Sequence, residues 1–307
     1  MKDNTIIVIT GPTATGKTAL SIEIAKKYNG EIISADSMQI YKKMDIGTAK
    51  PTKEEQSEIK HHLIDYIEPN IEYSVQQYVK DADIIINNLI KNKKLPIIVG
   101  GTGLYIKSLI YPYSFCSAPR DENIRNKYKK LLEDYGKEYI HNLLKKKDFE
   151  ASNKIHCNDT KRVIRALEIC EITGNSKTSL NVEQKSTKYN VILIALNFSR
   201  EVLYDRINKR VENMFEMGLL QEVDDLINVY NLNFDMQSMQ AIGYKEFRDY
   251  FNNEKSLAEI KELISKNSRN YAKRQITFIK GFEHVKWFNP IEDKLSIFKY
   301  IEGEIYD

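Results

Sequence analysis

Near the start of the chain, Gly11-Pro12-Thr13-Ala14-Thr15-Gly16-Lys17-Thr18 sets two glycines, a lysine and a hydroxyl in the spacing G-x-x-x-x-G-K-[ST]. These residue types in this order bind anions. The glycines let the backbone bend so that successive N–H groups point at one spot, the lysine adds a full positive charge, and the hydroxyl can reach a metal ion beside a phosphate. The context fits on both sides. Ile6-Ile7-Val8-Ile9 reads as a buried strand before the loop, and Ala19-Leu20-Ser21-Ile22-Glu23-Ile24-Ala25 reads as a helix after it. The loop leaves open whether its phosphates belong to a reacting nucleotide or to a leaving group.

Two further stretches carry polar groups just beyond strand-like runs. Glu31 to Ala35 leads into Asp36-Ser37-Met38-Gln39-Ile40-Tyr41, and Leu95 to Val99 leads into Gly100-Gly101-Thr102-Gly103-Leu104-Tyr105. In an open α/β sheet, ligands lie beyond the carboxyl ends of the strands, so these loops and the phosphate loop are expected to meet at one pocket. There Asp36 could help hold Mg²⁺ or accept a proton from a nucleophile, and capping a helix or turn is the competing use of the same carboxylate. A hydrolase would place a metal-holding aspartate after another apolar strand. Here Val191 to Leu196 is followed by Asn197, which argues against a motor-type ATPase.

The elements that must hold these loops follow from the apolar pattern. Thr5 to Ile9, Glu31 to Ala35, Leu95 to Val99 and Val191 to Leu196 alternate with helical stretches such as Thr18 to Tyr28 and Val75 to Lys91, the pattern of an α/β fold with a mostly parallel sheet flanked by helices. Strand signals vanish between Ala118 and Asn190, where apolar residues recur at helical spacing, so an all-helical lobe is expected to interrupt the sheet. The expected division is a core of residues 1–117 and 191–307 with an insertion of residues 118–190. A helix or helix pair over Arg200 to Tyr230, a helix near Lys255 to Lys280 and a last strand at Val285 to Phe288 complete the reading.

Composition narrows the function classes. The 307 residues carry a net charge of +3. Between Arg120 and Arg165, however, 13 basic residues face 8 acidic ones, so the positive excess sits inside the expected lobe and points to a polyanionic partner. No apolar run nears the ~20 residues that span a bilayer, and a cytoplasmic location without membrane contact is the expectation. Cys116, Cys157 and Cys170 lack the spacing of a disulfide framework or a zinc module. His61 and His62 are expected to be structural.

At greater length, GPTATGKT (11–18), DSMQIY (36–41), DIGTAKP (45–51), HHLID (61–65), GGTGLYI (100–106), HCNDTKRVIRALE (156–168), MGLLQEV (217–223), QAIGYKE (240–246) and YAKRQITF (271–278) resemble, in order, the motifs of bacterial tRNA dimethylallyltransferases. The resemblance implies a P-loop kinase-like core with an inserted helical domain that grips the tRNA anticodon stem-loop. The implied activity is transfer of a dimethylallyl group from dimethylallyl diphosphate to N6 of adenosine 37, in tRNAs reading codons that begin with U, with release of diphosphate. A monomer using Mg²⁺ is implied.

The resemblance also assigns roles. Asp36 would be the general base. Gly11, Thr13, Ala14, Thr15, Gly16, Lys17 and Thr18 would cradle the diphosphate, with Mg²⁺ near the Thr18 hydroxyl. Thr102 would contact the bridging region, and Arg210 would clamp the diphosphate, with Arg206 one turn earlier as the alternative. Ser37, Met38 and Gln39 would read the extruded base. Arg125, Lys161, Arg162 and Arg165 of the lobe, with Gln240, Gly243, Tyr244, Lys245, Arg269, Lys273 and Arg274, would contact tRNA. Lys161 stands where many members have glutamine, and Phe278 where tryptophan is frequent. The competing class is a nucleoside or nucleotide kinase, which would share the phosphate loop and use the basic lobe as a lid.

Overall fold

The computed structural model describes residues 2–111, 120–174 and 187–306. Six strands form one sheet: β1 (Thr5–Thr10), β2 (Gly30–Ser34), β3 (His61–His62), β4 (Leu95–Val99), β5 (Asn190–Leu196) and β6 (Lys286–Phe288), in the spatial order β3-β2-β4-β1-β5-β6. All pairings are parallel. A parallel strand covered on both faces reads as a continuous apolar run, and β1, every residue of which is buried, is such a strand. Its neighbours are β4, with Ile7 opposite Ile97, and β5, with Ile7 opposite Ile192.

The helices that cover this sheet are α1 (Lys17–Tyr28), α2 (Lys53–Glu58), α3 (Val75–Lys91) and α4 (Gly103–Ile110). Local chemistry sets their starts. At α3, Ser74 accepts from the Gln77 amide while the Gln77 side chain accepts from the Ser74 amide, a reciprocal cap that satisfies two otherwise orphaned donors. After the lobe come α8 (Arg200–Glu216), α9 (Leu219–Asn228), α10 (Phe247–Phe251), α11 (Leu257–Ile279) and α12 (Lys294–Tyr306). The expected helix over Arg200 to Tyr230 is thus a pair, broken at Gly218, whose φ of 97° is left-handed.

The last helix was not anticipated beyond the final strand. It places Ile297, Ile301 and Ile305 on one stripe at i, i+4 and i+8, and these pack with Ile7, Ile9, Ile24, Ile32, Ile97 and Ile194 in a core cluster around the sheet. The two histidines are structural contacts: His61 Nδ1 lies 2.8 Å from the Ile59 carbonyl, and His62 Nε2 lies 2.6 Å from Glu31 Oε2.

The chain divides into two compact units, residues 1–110 with 187–307, and residues 111–186. Asn190, expected in the insertion, instead pairs with Thr5 in the sheet. Cys116 lies outside the described residues; Cys157 is half-buried and Cys170 buried.

The inserted unit consists of α5 (Glu122–Lys147), α6 (Phe149–Lys154) and α7 (Thr160–Thr173). Gly136 interrupts α5 with φ 83° and ψ 174°. Its core holds Tyr128, Ile140, Leu144, Val163 and Leu167. Within it Glu168 is fully buried, paired with Arg125 at 3.0 Å and Arg165 at 2.8 Å, and accepting from the Asp121 amide at 2.7 Å. Burial alone would push this carboxyl up; the bonds from Arg165, the Asp121 amide and Arg125 outweigh it and hold the pKa below the ordinary glutamate value. The associated stability is therefore present above the ordinary glutamate range and is lost as pH falls through the lowered pKa. Glu168→Ala should cost the unit about 2–3 kcal/mol, less than for a wholly buried pair because both arginines keep some solvent contact. Amide exchange of α5 and α7 should accelerate accordingly, with the sheet amides unchanged.

Candidate active site

Because β2, β4 and β1 are adjacent, the loops leaving their C-terminal ends lie side by side. Backbone bonds lock them together. The Ala35 amide donates to the Val99 carbonyl at 2.7 Å, Gly100 to Ile9 at 3.1 Å and Thr102 to Ala35 at 3.1 Å. Close approach explains two glycines. A Cβ on Gly100 would stand 2.2 Å from the Ala35 carbonyl oxygen, and one on Gly11, at φ 144°, would stand 2.4 Å from the Leu196 carbonyl oxygen.

These loops open on a cavity of about 450 Å³. Its polar lining is the phosphate loop from Thr13 to Thr18, Asp36 to Gln39, and Arg210 of α8. An apolar lining comes from Ile207, Val211 and Met214 of α8 with Ile242 and Ile264. Ile207, Arg210, Val211 and Met214 fall on one helical face at i, i+3, i+4 and i+7, so a single helix supplies both a cation and an apolar wall. An amphipathic ligand with an anionic head and a short hydrocarbon tail matches that division.

The charges are arranged for an anion. Lys17 Nζ donates to the carbonyls of Gly11 at 3.0 Å and Pro12 at 2.8 Å. Burial, and next the Arg210 guanidinium, push the Lys17 ammonium down to about 7 against the pull of Asp36. Arg210 is likewise lowered by burial and partly restored by Asp36, and its Nη2 donates to the Thr48 carbonyl at 3.2 Å. Thr18 lines the same cavity, and its hydroxyl has no hydrogen-bond partner among the described residues. Asp36 serves two uses at once. Its Oδ1 accepts from the amides of Met38 at 2.9 Å and Gln39 at 3.4 Å, capping the turn, while Oδ2 has no protein partner among the described residues.

A family model described as IPP transferase matches residues 39–282. A tRNA dimethylallyltransferase of Thermoanaerobacter sp. is 48% identical over 310 residues, covering 98% of this chain and 98% of that protein. Another, from Acetivibrio thermocellus, is 48% identical over 297 residues, covering 94% of this chain and 93% of that one. The chain belongs to the IPP transferase family.

Among solved structures of the family, the full-length tRNA isopentenylpyrophosphate transferase of Bacillus halodurans superposes with a TM-score of 0.74 at 40% identity, covering 99% of this chain and 97% of that one. A eukaryotic dimethylallyltransferase described as acting on tRNA superposes with a TM-score of 0.77 at 31% identity, covering 97% of this chain and 78% of that one. The α/β fold with a parallel sheet thus matches those of solved tRNA isopentenyltransferase structures.

Several expected site residues are placed differently from the reading of the motifs. Thr102 is not among the residues lining the cavity; its hydroxyl accepts from the Ser37 amide at 3.0 Å and lies 3.3 Å from Ser37 Oγ, so it braces the Asp36 loop. Gln39 lines the cavity, but its Nε2 is committed to the carbonyls of Thr48 and Ala49, both at 3.2 Å. Arg206 is not among the residues lining the cavity; it donates to the carbonyl of Ala14, which does line it, at 2.8 Å, and stacks over Phe198. Tyr244 is fully buried, with its ring against Gly47, and Gly243 is buried with its amide donating to Glu246 at 2.9 Å; neither presents a surface to RNA.

Gln240, Lys245 and Arg274 do line the cavity, whereas Lys273 is exposed with its ammonium 5.9 Å over the Tyr204 ring, and Arg269 bonds Asn208 at 2.5 Å. In the lobe, Lys161 and Arg162 are exposed, while Arg125 and Arg165 are drawn to Glu168.

Gln275 was missed. Its Oε1 accepts from the Thr13 amide at 3.1 Å and its Nε2 donates to the Gly101 carbonyl at 3.0 Å, tying the phosphate loop to the loop after β4. The available signal was a polar residue between Ala272 and Ile279 on the buried face of α11. Arg210→Ala should weaken binding of inorganic diphosphate by about 10- to 100-fold, the loss of a charge-assisted contact, while Arg206→Ala should change it less than about threefold; calorimetric titration distinguishes them.

Proposed function

We propose that the chain transfers the dimethylallyl group of dimethylallyl diphosphate to N6 of adenosine 37 in tRNAs that read codons beginning with U, releasing diphosphate. The observation that carries this reading is the meeting of an anion cradle, Lys17 and Arg210, with an uncommitted Asp36 oxygen and an apolar wall in one cavity. The similar proteins named above, a tRNA dimethylallyltransferase and a tRNA isopentenylpyrophosphate transferase, have activities of this class.

The chemistry uses each part. The exocyclic nitrogen is a weak nucleophile because its lone pair is delocalised into the adenine ring. As that pair forms the bond to the first carbon of the allylic group, the carbon–oxygen bond breaks and its electrons leave with the diphosphate. The phosphate-loop amides, Lys17 and Arg210 stabilise the charge that develops there. The N6 proton passes to Asp36 Oδ2, a contribution of about 10²–10⁴-fold. The apolar wall of Ile207, Val211, Met214, Ile242 and Ile264 orients the hydrocarbon tail. Adenine must leave the anticodon-loop stack to reach this cavity, at a cost of a few kcal/mol that contacts within the site offset.

Mg²⁺ fits the residues present only as a partner of the diphosphate. Among the described residues no three His, Cys, Asp or Glu side chains could hold a metal, but the Thr18 hydroxyl is unpartnered at the phosphate loop. Mg²⁺ typically takes such a hydroxyl, waters and substrate phosphate oxygens. When bound it would neutralise charge on the departing diphosphate. No described helix is long and apolar enough to cross a membrane. The proposed enzyme works as a cytoplasmic monomer, the location and state that the family resemblance implies.

Incubation with Mg²⁺, dimethylallyl diphosphate and unmodified tRNA carrying adenosines at 36, 37 and 38 should add one dimethylallyl group to adenosine, read by nucleoside mass spectrometry. ATP consumption with free nucleosides and no prenylation would transfer the site to kinase chemistry. Asp36→Asn keeps the oxygen that caps Met38 and Gln39 but removes the base, so turnover should fall about 10²–10⁴-fold while tRNA affinity stays within a few-fold. Alanine at Lys161 and Arg162 together should weaken tRNA binding and make the plot of log affinity against log salt shallower by roughly one to two, because fewer counterions are released. An unchanged slope removes those two side chains from the RNA interface.

A further inference from the structure

The loop of residues 45–49 lines the cavity through Gly47, Thr48 and Ala49, yet it belongs to no strand or helix. Internal turn bonds shape it, from the Ala49 amide to the Ile46 carbonyl at 2.9 Å and from the Lys50 amide to the Asp45 carbonyl at 3.0 Å, and a side chain from elsewhere in the chain binds its leading amides. Glu222, in the first turn of α9, accepts from three successive backbone amides: Asp45 and Ile46, both at 2.8 Å to Oε2, and Gly47 at 3.0 Å to Oε1. A fourth donor, the Tyr244 hydroxyl, reaches Oε1 at 2.6 Å. Bonds that a carboxylate accepts from backbone N–H groups are charge-assisted and short, so one side chain anchors three successive amides of the loop. A Cβ on Gly47 would meet the Tyr244 ring at 2.4 Å, so only glycine admits this approach.

The consequence appears one residue further on. The Thr48 carbonyl is turned to accept both Arg210 Nη2 and Gln39 Nε2 at 3.2 Å. Arg210 comes from α8 and Glu222 from α9, two helices joined at the left-handed Gly218, so the pair grips the same loop from consecutive elements. Among the described residues, Thr48 is the hydrogen-bond acceptor of the Arg210 guanidinium.

We propose that Glu222 is a positioning residue for the diphosphate clamp: it shapes the 45–49 loop so that the Thr48 carbonyl holds Arg210 in the cavity. This rests on the reading of the cavity as an allylic diphosphate site. Glu222 touches no reacting atom. Its effect on binding and turnover travels through the loop to Arg210.

The test is a double-mutant cycle on the full-length chain, with inorganic diphosphate as the probe in calorimetric titration and dimethylallyl transfer to tRNA as the second readout. Glu222→Gln replaces one amide-accepting oxygen with a donor and should weaken diphosphate binding about tenfold and raise KM for dimethylallyl diphosphate more than it lowers kcat. In an Arg210→Ala background the same change should weaken binding less than about twofold, because the clamp it positions is already gone. Multiplying losses in the two backgrounds would overturn the proposal, as would unchanged binding in Glu222→Gln. If that variant does not fold, Tyr244→Phe, which removes one of the four donors, should give a smaller loss of two- to threefold that also vanishes in the Arg210→Ala background; a loss that persists there overturns the proposal. A wild-type chain that binds diphosphate but prenylates no tRNA would overturn the functional reading, and the binding cycle would still decide the role of Glu222.

Discussion

Two half-buried basic side chains, Lys17 and Arg210, share a cavity in which Asp36 is the single acidic residue among those lining it. Placing like charges together away from water is unfavourable, and the surrounding backbone is arranged to tolerate it. Lys17 is held by two carbonyls of its own loop and Arg210 by the Thr48 carbonyl. A polyphosphate satisfies both cations at once, so the site is organised around negative charge before any ligand arrives. This preorganisation is the property that leaving-group stabilisation requires.

Most of the remaining structure serves to keep that arrangement rigid. The order β2-β4-β1 sets three loops side by side, and glycines at 11 and 100 allow them to touch where any side chain would collide with a carbonyl. Polar side chains then join loops that the sheet only brings near. Gln275 ties the phosphate loop to the loop after β4, Thr102 ties the latter to Ser37, and Glu222 gathers the 45–49 loop. Each joins segments far apart in the chain, so the cavity exists only once the whole sheet unit has folded.

The legible parts of the sequence were local. Val75 to Lys91 was recoverable as a helix because its apolar residues repeat at helical spacing, and the central strands were recoverable because strands covered on both faces are continuously apolar. Short elements escaped. The two residues of β3 carry no periodicity, and α4 begins inside a glycine-rich motif that reads as a loop. Helix α12 follows the turn signal Asn289-Pro290, but its stripe of isoleucines becomes meaningful only against the sheet face it covers. The kink of α5 at Gly136 was equally hidden, since an isolated glycine within a helical pattern is tolerated and does not by itself mark a break.

By itself the sequence determined the identity of the anion cradle, its strand-to-helix setting, the carboxylate at the end of the second strand and the basic character of the inserted unit, because each depends on neighbours within a few residues. The tertiary structure alone decided that Arg210 enters the cavity while Arg206 turns to the Ala14 carbonyl, that Tyr244 is scaffold, and that Gln275 and Glu222 hold the loops. Arg206 and Arg210 lie one turn apart on nearly the same face of one helix, so which of them reaches the site depends on where along α8 the cavity lies, a matter of how α8 is set against the phosphate loop. Gln275 and Glu222 act across 262 and 175 residues of chain, separations over which no local pattern signals a contact.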